Sequence, residues 1–170
     1  IGFSTAYLTS LYTFTFSKFF HYGLILPFAI PTYIMAFIYG GMFDITGSVT
    51  TFILNILGKT LDEVIFFDIM SIEGAIIIMS LVLYPYVYLI CKTYLSFESA
   101  SIIDAAKTFN LSSWQILKKV ILPISRPAIV AGVTLAVMEA VADFGVMDYF
   151  GVSTFVTGIF RAWFGMGSVE

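Results

Sequence analysis

Residues Gly74 to Tyr94 read GAIIIMSLVLYPYVYLICKTY, with a single charge, Lys92, close to the end. About 20 mainly apolar residues are what an α-helix needs to cross the hydrocarbon core of a bilayer. Three further stretches have the same character. Residues 1–17 carry no charge but are rich in Thr and Ser, and 22–43 carry no charge and hold Pro27 and Pro31. Residues 127–147 are apolar except for Glu139 and Asp143. Four spans are therefore expected, near 1–17, 22–43, 74–94 and 127–147. Prolines inside apolar runs argue against simple soluble helices. In a membrane, neighbouring helices and water satisfy the carbonyls they free. Kinks are expected at Pro27/Pro31 and at Pro85.

Composition agrees. Of the 170 residues, 59% are hydrophobic and 11% charged, against about 25% charged in an ordinary soluble domain. Mean hydropathy is +0.98. The net charge of -3 and the lack of a basic patch exclude nucleic acid as a partner. The lone Cys91 cannot form an intrachain disulfide and reads as a buried, inert thiol. The chain starts at Ile1 and ends Gly167-Ser168-Val169-Glu170, so it reads as a segment of a longer protein, cut at both ends.

Lys and Arg set the orientation, because they concentrate in cytoplasmic loops. Lys18 lies between the first two spans; Lys92, Lys107, Lys118, Lys119 and Arg126 lie between the third and fourth. The connection between them holds Asp44, Asp62, Glu63, Asp68 and Glu73 against Lys59 alone. The Lys-rich loops are placed in the cytoplasm, and the acidic connection and Tyr149 onward outside it. Val49 to Leu57 is expected to form a short helix along the membrane surface. His21 reads as an interfacial residue beside Lys18. The fold class is all-α: a polytopic transmembrane helical bundle with a two-helix cytoplasmic loop at 95–126.

That loop shows helical order. Ser101-Ile102-Ile103-Asp104 has the form of a helix start, and Ala105, Ala106 and Lys107 are good helix formers. Asn110 sits where a left-handed cap would end that helix. Ser112 and Gln115 have capping-box spacing, Trp114, Leu117 and Ile121 recur at helical spacing, and Pro123 is expected to end the second helix. An amphipathic loop packing on its own bundle would carry the same signals.

Here the sequence resembles the permeases of binding-protein-dependent ABC importers, which carry a cytoplasmic motif E-A-A-x3-G-x9-I-x-L-P. The chain reads Asp104-Ala105-Ala106, Asn110, Val120 and Leu122-Pro123, with every interval kept. Asp stands for Glu, Asn for Gly and Val for Ile. The resemblance implies one importer transmembrane domain, of which residues 1–170 are a fragment, in the bacterial inner membrane. It implies that Asp104, Ala105, Ala106, Lys107, Asn110, Trp114, Leu117, Val120, Leu122 and Pro123 couple to a separate ABC ATP-binding subunit. Trp114 and Leu117 would be apolar anchors within a polar rim of Asp104, Lys107, Lys118 and Lys119. There is no phosphate-binding G-x4-G-K-[ST] loop in this chain. No cofactor is expected in it; ATP and magnesium would sit on the partner ATPase. Further implied partners are a periplasmic or lipid-anchored solute-binding protein and a second permease half or subunit.

Leu26-Pro27-Phe28-Ala29-Ile30-Pro31-Thr32-Tyr33 and Met138-Glu139-Ala140-Val141-Ala142-Asp143-Phe144-Gly145 look like stretches of ferric-iron permeases. So do Tyr149-Phe150-Gly151 and Phe160-Arg161-Ala162-Trp163-Phe164. The resemblance thus implies ferric iron as cargo. Thiamine, a polyamine, phosphonate and sulfate are the alternatives within the class, and an ion-coupled carrier is the alternative outside it. Glu139 and Asp143, four apart, would share a helix face. With Tyr149 they form a candidate translocation path for a hard cation. The other reading has the two acids hold a broken helix end or pair with Arg161. No resident metal site is expected.

Overall fold

The computed structural model describes residues 1–12, 14–60, 68–108 and 112–165, with 98–108 as backbone only. Every regular element among the described residues is helical. In chain order they are α1 (Gly2–Leu11), α2 (Ser17–Ile25), a 3-10 turn (Leu26–Ala29), α3 (Thr32–Phe43), α4 (Ser48–Leu57) and α5 (Ile72–Thr108). Then come α6 (Ser113–Ile116), a π turn (Leu117–Ile121), α7 (Leu122–Ile124), α8 (Arg126–Ala142), α9 (Phe144–Tyr149) and α10 (Phe155–Gly165).

The helix boundaries depart from the expected spans at several points, each with a local cause. The first apolar stretch is not one helix. α1 stops at Leu11, Tyr12 is extended, and the chain re-enters a helix through Phe16, which adopts a left-handed conformation at φ 73°. The second stretch is broken where its prolines fall. Pro27 lies in the 3-10 turn, and Pro31, extended at ψ 138°, caps α3. A proline supplies no N–H and disfavours a helical residue before it, so the chain restarts its helix at Thr32. α4 covers the stretch expected to be a short helix, though it falls within the membrane-length segment Thr32–Leu57, and it ends on Gly58, whose φ of 62° only glycine adopts without strain.

α5 is the longest element at 37 residues, about 55 Å. It runs through Pro85 without interruption and continues past the membrane-length segment Ile72–Phe97. The anticipated helix start at Ser101 is absent for that reason: the backbone there is already helical. By length and apolarity, Thr32–Leu57 and Ile72–Phe97 can each cross a bilayer. A third crossing exists if Ser113–Ile124 and Arg126–Ala142, bent by 63°, act as one span.

The chain divides into two compact units whose boundaries fall just after the 3-10 turn and inside α5 and α8. Unit 1 comprises Ile1–Ala29 and Leu83–Met138. Its core is Ala6, Tyr88, Cys91, Leu95, Ile116, Ile121 and Ala128, flanked by Phe3, Tyr7 and Leu11. Close approach sets its packing: a Cβ on Gly132 of α8 would lie 2.7 Å from the Val87 Cα of α5. Unit 2 comprises Ile30–Val82 and Glu139–Glu170. In it α3 packs on α4 and α9, and α9 on α10. Unit 1 holds six of the eight Lys and Arg and only two acids, Glu98 and Asp104; unit 2 holds the other nine acids.

Candidate functional site

Two places hold the residues singled out by the sequence. The first is the loop after α5, in unit 1. Asp104, Ala105, Ala106 and Lys107 lie on the helical backbone of α5, whereas Asn110 lies outside the described residues. Ser112 then starts a new helix. Its hydroxyl accepts from the Gln115 N–H at 3.4 Å, and its own N–H donates to Gln115 Oε1 at 3.0 Å. This is the reciprocal capping box read from the sequence.

Pro123 does not end the helix that follows. The backbone widens into a π turn over Leu117–Ile121, with the Leu122 N–H donating to the Leu117 carbonyl, and stays helical to Ile124. In a regular α-helix the proline ring would press on the carbonyl four residues back. A wider turn placed just before it relieves that contact. The break comes at Ser125, φ -79° and ψ -3°, before α8.

The π turn also decides which side chains point where. Ile116 and Ile121, five residues apart, are both buried in the unit 1 core beside Cys91 and Leu95. Leu117 and Val120 pack half-buried against the same core, so Leu117 is a support and not the free anchor expected. Trp114 (62% exposed) and Leu122 (41%) project outward, and the Lys118 ammonium sits 4.7 Å from the Trp114 ring centroid. Pro123 and Lys119 are exposed as well. Ile116 was missed as an inward anchor because its spacing to Ile121 fits no α-helical face.

The second place is a broken helix in unit 2. α8 ends at Ala142, and Asp143, at φ -76° and ψ 105°, is the N-cap of α9. Glu139 and Asp143 therefore do not share a face of one helix, because the helix stops between them. Asp143 Oδ1 accepts from the Val146 N–H at 2.9 Å, and Oδ2 accepts a very short hydrogen bond from the Thr32 hydroxyl. One carboxylate thus joins the start of α9 to the start of α3. Of the two readings of this acid, the geometry carries the one in which it holds a broken helix end. Glu139 is exposed on the last turn of α8. Tyr149 packs elsewhere, with its ring 5.6 Å from Phe37 and its hydroxyl so placed that a Cβ on Gly40 would meet it at 2.8 Å. Thr32 was missed; a Thr opening a helix directly after Pro31 is the signal that marks it.

Residues 1–166 match the family described as binding-protein-dependent transport system inner membrane component. The chain belongs to that family. The permease is 28% identical over 144 residues to the probable sulfate transport system permease protein cysT of Chlorella vulgaris, covering 85% of this chain and 51% of the relative. It is 28% identical over 127 residues to the sulfate transport system permease protein CysT of Escherichia coli K12, covering 73% of this chain and 42% of the relative. The permease thus spans about half the length, or less, of these relatives. The family is one of membrane components of transport systems. Both relatives are named for sulfate and neither for ferric iron, which the stretches around Pro27 and Glu139 had pointed to.

Proposed function

We propose that this chain forms part of the translocation unit of an ATP-driven importer, and that residues 95–126 dock on a separate ATP-binding subunit. The observation that supports this reading is the two-sided build of the segment after Ser112. Ile116 and Ile121 fix it to the core that also holds α5, while Trp114, Lys118, Lys119 and Leu122 face outward. An aromatic and an aliphatic side chain rimmed by lysines are the composition of a docking patch. Motion imposed there is passed to α5 and α8, since the segment is continuous with α8 and shares a core with α5. A soluble solute-binding protein would deliver the cargo from outside, and a second permease half or subunit would complete the path.

For the cargo, the comparisons favour sulfate over ferric iron. Asp143 points the same way: its carboxylate is already taken up by Thr32 and the Val146 N–H, which leaves Glu139 as the one exposed acid of the pair. Ferric iron is kept as the second reading on the stretches Leu26–Tyr33 and Met138–Gly145. Uptake of labelled sulfate and labelled ferric iron, measured in a strain deleted for this permease and complemented with it, separates the two. Restored sulfate uptake alone supports the first reading, and restored iron uptake alone replaces it. Failure of any ATP-binding subunit to co-purify with the full-length protein would remove the importer reading itself.

A further inference from the structure

A polar cluster in unit 1 lies outside both places described above. The Lys92 ammonium of α5 donates to the Tyr88 hydroxyl at 3.2 Å and to His21 Nδ1 of α2 at 2.9 Å. The Tyr88 hydroxyl also lies 2.8 Å from His21 Nδ1 and accepts from the Thr9 hydroxyl of α1 at 3.3 Å. An ammonium can only donate, so His21 Nδ1 accepts and the ring carries its proton on Nε2. The single lone pair of Nδ1 is then within reach of two donors, and the Nε2–H of His21, which is not sealed inside the unit, is open to an acceptor from outside it. Among the described residues the cluster offers more donors than acceptors and carries a positive charge.

The described side chains of unit 1 include no carboxylate to answer that charge. Residues 1–43, 74–97 and 112–138 contain no Asp or Glu, so α1, α2, α6, α7 and the unit 1 parts of α5 and α8 that hold described side chains lack one. The nearest acids of the unit, Glu98 and Asp104, lie six and twelve residues farther along α5, about 9 and 18 Å along its axis. Lys18, three residues before His21 and on the same face of α2, adds a second cation. Lys18 and the exposed Phe19 and Tyr22 place the cluster at the cytoplasmic membrane boundary by the distribution of Lys and Arg. A half-buried ammonium in apolar surroundings is costly unless an anion meets it.

We infer that Lys92, His21 and Lys18 bind a tetrahedral oxyanion group, the phosphate of an anionic phospholipid headgroup or a free ion of the same chemistry. Such a group offers acceptors only and brings the missing negative charge. Basic pockets between transmembrane helices on the cytoplasmic side are where anionic headgroups settle. The inference uses the orientation of the chain and does not depend on the cargo.

The test is native mass spectrometry of the purified full-length protein in detergent, titrated with phosphatidylglycerol or phosphatidylcholine, with sodium sulfate as a separate arm. The wild type is expected to prefer phosphatidylglycerol. Lys92→Met is expected to weaken its binding about five- to tenfold, and Lys92→Arg to keep it. Sulfate bound without any lipid preference, and lost in Lys92→Met, would identify a free oxyanion as the occupant. Equal binding of the two lipids by the wild type together with no sulfate bound overturns the site, and this arm needs no variant to fold. A preference for phosphatidylglycerol unchanged in a monodisperse Lys92→Met protein overturns it too.

Discussion

Asp143 shows how one side chain sets a break in a span. Its carboxylate caps α9 through the Val146 N–H and holds Thr32 at the start of α3. Asp143→Ala removes both bonds and is expected to cost about 1 kcal/mol or more, with Asp143→Asn costing less because an amide oxygen still caps. Thermal unfolding of the purified protein in detergent reads the difference, and equal melting of wild type and Asp143→Ala would refute the dual role. The acid itself was legible in the sequence, but its task was not. Four-residue spacing gives a shared face only if the helix is unbroken, and nothing in Ala140 to Phe144 marks a break until Thr32 is brought alongside. Ser125 makes the opposite case. It is fully buried at the bend before α8, and its hydroxyl lacks a hydrogen-bond partner among the described residues. Ser125→Ala is therefore expected to be neutral or up to about 1 kcal/mol more stable by the same assay.

Elements were read best where their signal is local. The Ser112–Gln115 capping box needs only four residues to specify it, and it forms as read. The helix ends that Pro31 and Gly58 impose are equally local. What escaped were features that depend on neighbours. α5 absorbs Pro85 among the buried Val82, Leu83 and Tyr88, and its backbone is already helical where the start signal at Ser101 falls. Pro123 is carried by a π turn whose face then buries Ile116 with Ile121. Trp114→Ala should weaken binding of the ATP-binding subunit tenfold or more, by the usual cost of losing an aromatic anchor. The melting temperature should stay unchanged, because the ring is mostly exposed. Unchanged affinity would move the docking patch elsewhere. Gly132→Val would set a side chain against the Val87 backbone, where even a Cβ lies at 2.7 Å. It should destabilise the α5–α8 packing by about 1–3 kcal/mol, and full stability in this variant would show that the two helices do not approach as described.

For the whole molecule, charge is the basis on which the orientation is expected. The basic residues gather in the unit that contains the segment after α5, and the acids gather in the other. Membership of the inner-membrane transport family agrees with the apolar runs, from which the helical class was plain. Cargo is the least legible property, because a transport path is made of weak, shared contacts and not of a dense ligand set. The orientation and the docking role therefore both stand on the side of the membrane that Lys118 faces and on what covers it there. A cysteine placed at Lys118 can be reacted with a membrane-impermeant maleimide in inside-out and right-side-out vesicles; the native Cys91 is fully buried and stays silent. Labelling in inside-out vesicles alone, blocked when the ATP-binding subunit is bound, is the result expected. Labelling in right-side-out vesicles would contradict the orientation and the docking role together.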